Sequence, residues 1–228
     1  MAGNINIQFH ELCKNGNLKE IKQFYFGNPT IDISANNVYV FGYDYYRGNL
    51  AFGYACCHGN LKIAKWLLKM KPNINISLYH DGVFSWSCYY GQLEVAKWLL
   101  EVLPNINIYV NHDDLFKWSC LNGHLKVAKW LLKVVNPNIN ISAIDEFAFS
   151  WSCAKGHLKV AKWLLKVKPD TNIYADDNYA FQLSYGDGYL KVAKLLLQHT
   201  AQNYLMFTNK NIIKIGKIYN KKQQIAKI

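Results

Sequence analysis

Gly123-His124-Leu125-Lys126-Val127-Ala128-Lys129 returns letter for letter as Gly156-His157-Leu158-Lys159-Val160-Ala161-Lys162, 33 residues later. Looser copies start at Gly16, Gly59, Gly91 and Gly188. Seven positions before each of these six glycines stands a phenylalanine: Phe9, Phe52, Phe84, Phe116, Phe149 and Phe181. The steps between the phenylalanines are 43, 32, 32, 33 and 32 residues. A period in this range means one supersecondary unit written repeatedly, each copy burying its apolar face on the next. Such a stack offers long surfaces rather than a catalytic pocket.

The copy at Gly59 shows what each unit contains. In Leu61-Lys62-Ile63-Ala64-Lys65-Trp66-Leu67-Leu68-Lys69 the apolar residues Leu61, Ala64 and Leu68 fall on one stripe of a helix, widened by Ile63 and Leu67. Lys62, Lys65 and Lys69 gather opposite, with Trp66 at the border. The spacing predicts a short amphipathic helix that Pro72 stops. The block Pro72-Asn73-Ile74-Asn75-Ile76 recurs at 104–108 and 137–141, with weaker copies at 29–33 and 169–173. Alternating Ile and Asn after proline predicts an extended finger with one buried face. A polar turn such as His80-Asp81-Gly82 follows, then a second helix from about Val83 to Tyr90, closed by Gly91 in left-handed geometry.

These residues resemble the ankyrin repeat: the period near 33, the Gly-His-Leu-Lys-Val-Ala-Lys heptapeptide, and the order helix, glycine turn, helix, finger. The likeness covers roughly residues 5–200. With its Trp-Leu-Leu-Lys and Pro-Asn-Ile-Asn signatures the chain looks like the Lys/Asn-rich ankyrin repeat proteins of giant amoebal viruses. The usual Thr-Pro-Leu-His opening is replaced by segments such as Val83-Phe84-Ser85, so the hydrogen bonds that opening makes are missing. Burial of the phenylalanine column, at about 1.5–3 kcal/mol per side chain, is expected to compensate.

The expected fold is therefore all-α, an ankyrin-type α-solenoid of about six helix-turn-helix repeats with extended finger loops. Its boundaries are a capping repeat at 1–33, an elongated aromatic finger at 34–47, and repeats at 48–77, 78–109, 110–142 and 143–174. A C-terminal repeat at 175–201 and a basic tail or capping helix at 202–228 complete it.

Composition narrows the functional classes. Hydrophobic residues make up 51% of the chain, ample for a core, yet no apolar run is long enough to span a membrane. The start, Met1-Ala2-Gly3-Asn4, lacks the pattern of a secretory signal, and an intracellular place, the host-cell cytoplasm, is expected. The net charge of +11 brings nucleic acid into consideration, but Arg47 is the single arginine among 26 basic residues. Phosphate and guanine readers favour the arginine fork, so solubilising lysines are the plainer reading.

No catalytic, cofactor-binding or metal site is expected. Cys13, Cys56, Cys88, Cys120 and Cys153 share one repeat position, but stacked helices about 8–10 Å apart exceed disulfide reach, and no zinc spacing occurs. The column reads as core packing. Trp66, Trp98, Trp130 and Trp163 mark the outer helices, and Trp86, Trp118 and Trp151 the inner ones. Stacking of bases is one use for such a ladder, packing on the neighbouring repeat the other. The resemblance implies a structural hydrogen bond for His124 and His157 in the turn.

Candidate partner contacts lie on the fingers. Acidic residues gather at corresponding turns as Asp81, Asp113 and Asp114, Asp145 and Glu146, Asp176 and Asp177, with His80 and His112 beside them. Asp suits tight turns, and an acidic edge would also favour a basic partner segment. The long first finger carries Tyr39, Phe41, Tyr43, Tyr45, Tyr46 and Arg47, the chemistry of binding hot spots, and its alternation predicts a hairpin. Its alternative is a finger folded back on its own array. The tail places Ile212, Ile215, Ile218 and Tyr219 on one face among lysines, either a cap or a basic arm. The expected function is a monomeric, non-enzymatic scaffold for a protein partner, presenting a concave finger and inner-helix surface. Nucleic-acid association through the lysine back and tail is the alternative, and a degenerate repeat with no dedicated partner a third.

Overall fold

A computed structural model describes residues 2–33, 39–41, 44–46, 50–72, 82–102, 112–135 and 143–203. Among them, helices come in six consecutive pairs. These are α1 (Ala2–Asn15) with α2 (Leu18–Gly27), α3 (Leu50–Cys57) with α4 (Leu61–Met70), and α5 (Gly82–Tyr89) with α6 (Leu93–Val102). Then follow α7 (His112–Leu121) with α8 (Leu125–Trp130), α9 (Ala143–Ala154) with α10 (Leu158–Val167), and α11 (Ala175–Gly186) with α12 (Leu190–Asn203). The chain divides into two compact units, Met1–Asn140 and Ile141–Ile228. Within the first, α1 packs on α3, α3 on α5 and α5 on α7; within the second, α9 packs on α11 and α10 on α12.

One hydrogen-bond pattern turns the first helix into the second in the five pairs from α3–α4 onward. In the α5–α6 turn, Gln92 N donates to Ser87 O at 2.7 Å and Gly91 N to Cys88 O at 3.1 Å. Gly91 itself stands at φ 77°. This is a Schellman closure, in which a left-handed residue lets two amides satisfy carbonyls that the helix end would orphan. It recurs with His124 N to Ser119 O at 2.8 Å, His157 N to Ser152 O at 2.8 Å and Tyr189 N to Ser184 O at 2.7 Å. The serine of this column is buried, and its hydroxyl is satisfied by its own helix: Ser87 Oγ donates to Val83 O and Ser119 Oγ to Leu115 O, each at 2.7 Å. The α7–α8 repeat has one residue more between glycine and proline than its neighbours, and the chain absorbs it as a π turn over Leu131–Val135.

The core is the phenylalanine column itself. Phe9, Phe52, Phe84, Phe116 and Phe149 are at most 1% exposed, and Phe181 is 7%. Beside them lie the buried Ile/Val-Ala pairs of the second helices, Ile63-Ala64, Val95-Ala96, Val127-Ala128, Val160-Ala161 and Val192-Ala193. Two of the five Pro-initiated segments are described in full. In both, alternate residues turn inward, Ile31 with Ile33 and Thr171 with Ile173, as extended backbone requires. The copies at 104–108 and 137–141, and 73–76 of the first, lie outside the described residues.

The long first finger contains an antiparallel hairpin, β1 (Tyr39–Phe41) with β2 (Asp44–Tyr46). Tyr39 pairs with Tyr46, Val40 with Tyr45 and Phe41 with Asp44. The first helices of the later repeats begin earlier than the spacing suggested. α7 starts four residues before its column phenylalanine, α9 and α11 six before, against two in α5. Asp113, Asp114, Asp145, Glu146, Asp176 and Asp177 therefore sit in first helical turns, not in the polar turns expected for them. Acidic residues are favoured in the first turn of a helix as well as in tight turns, so the sequence pattern alone does not separate the two.

Candidate protein-binding surface

The two rows of helices treat their aromatic rings differently. On the second helices, Trp66 is 9% and Trp98 7% exposed. Trp98 lies 6.2 Å from the ring of Phe52 in the preceding pair, Trp130 6.2 Å from Phe84, and Trp66 5.5 Å edge-on to Tyr25. These indoles seal one repeat to the one before. Lys65 lays its ammonium 5.8 Å over the Trp98 ring, so the lysine face covers the seam.

On the first helices the rings form a half-open patch. Trp86 stacks on Tyr90 at 5.6 Å and meets Tyr89 edge-on at 5.5 Å, and Tyr89 meets Trp118 of the next first helix at 6.1 Å. Tyr90 and Trp118 are each 40% exposed, more than any ring of the second-helix tryptophan column. In the second unit, Trp151 makes a smaller cluster with Phe147 at 5.6 Å and Tyr179 at 5.2 Å. Sequence reasoning singled out Trp86, Trp118 and Trp151 but not Tyr89, Tyr90, Phe147 or Tyr179. Tyr89 and Tyr90 have no aromatic counterpart in the other repeats, whereas Phe147 and Tyr179 share one position, two residues before the column phenylalanine, and that recurrence was the signal for them.

The predicted contact residues fall into several groups. Tyr39, Phe41, Tyr45 and Tyr46 lie on the hairpin strands, which the register brings together; Tyr43 and Arg47 lie outside the described residues, as do His80 and Asp81. His112 and Asp113 are described as backbone in the first turn of α7, Asp145 in α9, and Asp176 and Asp177 in α11. Asp114 is half-exposed, with a carboxylate oxygen 3.3 Å from the Nζ of the buried Lys117.

Glu146 corrects the expectation of an exposed acidic tip. It is 6% exposed, at φ 61°, and its carboxylate takes Lys168 Nζ at 2.6 Å and the Asn172 amide at 3.5 Å. The left-handed backbone turns this side chain back beneath its own repeat, where it ties the helix start to the extended segment. A partner cannot reach it there.

Burial disfavours the thiolate form of the column cysteines. All five column cysteines are free and buried, and desolvation pushes the Cys13 thiol up to about 12 and the Cys56, Cys88, Cys120 and Cys153 thiols higher. A thiol so raised is a poor nucleophile at neutral pH, and the column cysteines pack as small apolar groups. Among the described residues no group of three His, Cys, Asp or Glu side chains is placed to hold a metal ion, and no helix is long and apolar enough to cross a membrane.

The turn residue after each glycine locks neighbouring repeats. Asn60 Nδ2 donates to Cys13 O at 2.9 Å and Lys14 O at 2.7 Å, and Gln92 Nε2 to Cys57 O at 3.2 Å. His124 holds the same position with its ring over Gly91. Helix pairs joined by glycine closures and cross-linked in this way define an α-solenoid. The family model of ankyrin repeats (three copies) matches residues 9–114 and again 116–206. The chain belongs to the ankyrin-repeat family.

No curated protein matches it. Among solved structures it is similar to a chain of the Bd0816 predatory endopeptidase from Bdellovibrio bacteriovorus in complex with immunity protein Bd3460. Identity is 21%, the TM-score 0.52, and the match covers 83% of this chain and 96% of that one. That likeness bears on the fold.

Proposed function

We propose that the chain is a non-enzymatic scaffold that holds another protein along its first-helix row and its fingers. Ankyrin repeats generally mediate protein–protein interaction. The observation that carries the reading here is the continuous patch of Trp86, Tyr89, Tyr90 and Trp118, half-open on helices whose other rings are buried. Rigid aromatic area with a polar edge is what protein interfaces favour at their centres. The hairpin of Tyr39–Phe41 and Asp44–Tyr46, with Tyr43 and Arg47, extends the same chemistry into the first finger. Asp113 and Asp114 in the first unit, and Asp145, Asp176 and Asp177 in the second, are the acidic residues we assign to a basic partner segment. The array supplies preorganisation, and these side chains choose the partner.

Proximity labelling in the native host cell with three chains tests this: the natural one, Trp118→Ala, and a chain with Tyr43, Tyr45 and Tyr46 replaced by serine. The expected result is a reproducible neighbour lost from both variants while their folds stay intact. Equal labelling by all three would remove the patch and the hairpin as contact sites. No reproducible neighbour for the natural chain would favour a degenerate repeat without a dedicated partner.

A second reading rests on the lysines. Lys62, Lys65 and Lys69, Lys126, Lys129 and Lys133, and Lys159, Lys162 and Lys166 are all exposed on second helices. Nucleic acid bound there would dissociate steeply with salt, with a log–log slope near −0.9 per neutralised phosphate on B-DNA. A flat salt response, or no DNA binding, rules it out. The Trp-Leu-Leu-Lys and Pro-Asn-Ile-Asn signatures support a scaffold working in the host-cell cytoplasm, and fractionation of host cells tests that reading.

A further inference from the structure

One repeat position buries a basic side chain twice. The residue after the column phenylalanine is His10 in α1 and Lys117 in α7, and elsewhere Gly53, Ser85, Ser150 and Gln182. His10 is 3% exposed and Lys117 6%. A buried cation is costly unless a counter-charge meets it. Lys117 satisfies that condition. Asp114, three residues earlier on the same helix, holds a carboxylate oxygen 3.3 Å from its Nζ. The corresponding residue before His10 is Ile7, so α1 provides no such carboxylate at that place.

The groups packed around His10 do not make up for it. Its ring lies 6.5 Å from that of Phe9 and 6.3 Å from that of Tyr54 on α3. The α3 sequence, Leu50-Ala51-Phe52-Gly53-Tyr54-Ala55-Cys56-Cys57, has no charged residue, and burial keeps both of its thiols protonated. His58, directly after it, reaches Tyr54 at 6.2 Å and brings no negative charge. From α2 come Tyr25, 5.9 Å from Phe9, and the exposed Lys19, Glu20 and Lys22. On α1 itself stand Cys13, also held protonated, and Glu11, which is exposed and shared with Lys14 at 3.6 Å. Among the described residues His10 Nε2 has no hydrogen-bond partner.

We propose that the seat of α1 on α3 is an acid-sensitive catch, closed while His10 is neutral and released when the imidazole takes up a proton. Burial holds the His10 pKa below the ordinary imidazole value of 6.5, and Glu11 opposes this only in part. The folded segment therefore binds the proton less tightly than the unfolded one. The stability that neutral His10 permits is complete above about pH 6.5 and is lost below it, by up to about tenfold in equilibrium per pH unit. Release breaks the hydrogen bonds from Asn60 Nδ2 to Cys13 O and Lys14 O, and it uncovers Phe9 and Cys13.

Amide hydrogen exchange of the full chain between about pH 7.5 and about pH 5.5, expressed as protection relative to intrinsic rates, tests this. Protection across α1 should fall about five- to tenfold in the natural chain, while that of α5 and α6 changes by less than about twofold. His10→Gln and His10→Phe cannot take up the proton, and in both the loss across α1 should disappear. The phenylalanine keeps a ring between Phe9 and Tyr54, so it separates the lost proton from the lost ring. An NMR titration of His10 should give a midpoint below 6.5. Unchanged α1 protection in the natural chain, the same loss in either neutral variant, or a midpoint at or above 6.5 overturns the proposal.

Discussion

Trp98 on α6 and Trp118 on α7 are the same side chain, each in contact with an aromatic ring of the preceding helix pair, and they have opposite fates. Trp98 meets Phe52, a column residue buried to 1% exposure, and is itself 7% exposed. Trp118 meets Tyr89, half-buried on the open side of its helix, and remains 40% exposed. A recurring aromatic position becomes core where it lands on another buried column, and surface where it lands on a residue outside the columns. The second-helix tryptophans Trp66 and Trp98 therefore serve cohesion, whereas Trp118 on the first-helix row stays open to solvent.

The largest effect should come from the shared core. Phe116→Ala should cost about 3–5 kcal/mol in denaturant-induced unfolding, through lost burial and the cavity left behind. Trp98→Ala should cost about 3 kcal/mol by the same mechanism, since the indole closes the seam over Phe52. A cost below about 1 kcal/mol for Trp98→Ala would erase the distinction between the rows.

Gly91→Ala should come next, at about 1–3 kcal/mol, read as a drop in melting temperature. Two causes add: φ stands at 77°, where a side chain is strained, and the new methyl would displace His124, which bridges two repeats. Gly27→Ala, outside the left-handed region with nothing within 4 Å, is the control and should be close to neutral.

What the sequence made legible was whatever repeats. The phenylalanine seam, the buried cysteines and the glycine closures each depend on one residue type at one position, so periodicity finds them. The hairpin was legible too, from alternation within the long finger. Helix starts were not. Asp and Glu are read as turn formers unless the dipole of a helix not yet placed is taken into account. Glu146 was misread for a further reason: its partners, Lys168 and Asn172, lie 22 and 26 residues away, and no local pattern announces an ion pair across that distance. The aromatic patch was half legible. Its tryptophans recur, but Tyr89 and Tyr90, which join them into one surface, occur once.

The smallest stability effect should belong to Trp118→Ala, and it bears most directly on function. The ring is 40% exposed, so its removal returns little apolar area to water and leaves no sealed cavity. A loss of about 1 kcal/mol or less is expected, seen as a small shift in denaturation midpoint. Its contact with Tyr89 is edge-on, a geometry that contributes about 0.5–1.5 kcal/mol at most beyond burial. A loss approaching that of Trp98→Ala would mean that the first-helix rings also serve cohesion. A small loss together with abolished partner capture would separate the rows by role as well as by exposure. The comparison of Trp118→Ala with Trp98→Ala therefore tests the proposed recognition role and the packing of the patch in one experiment.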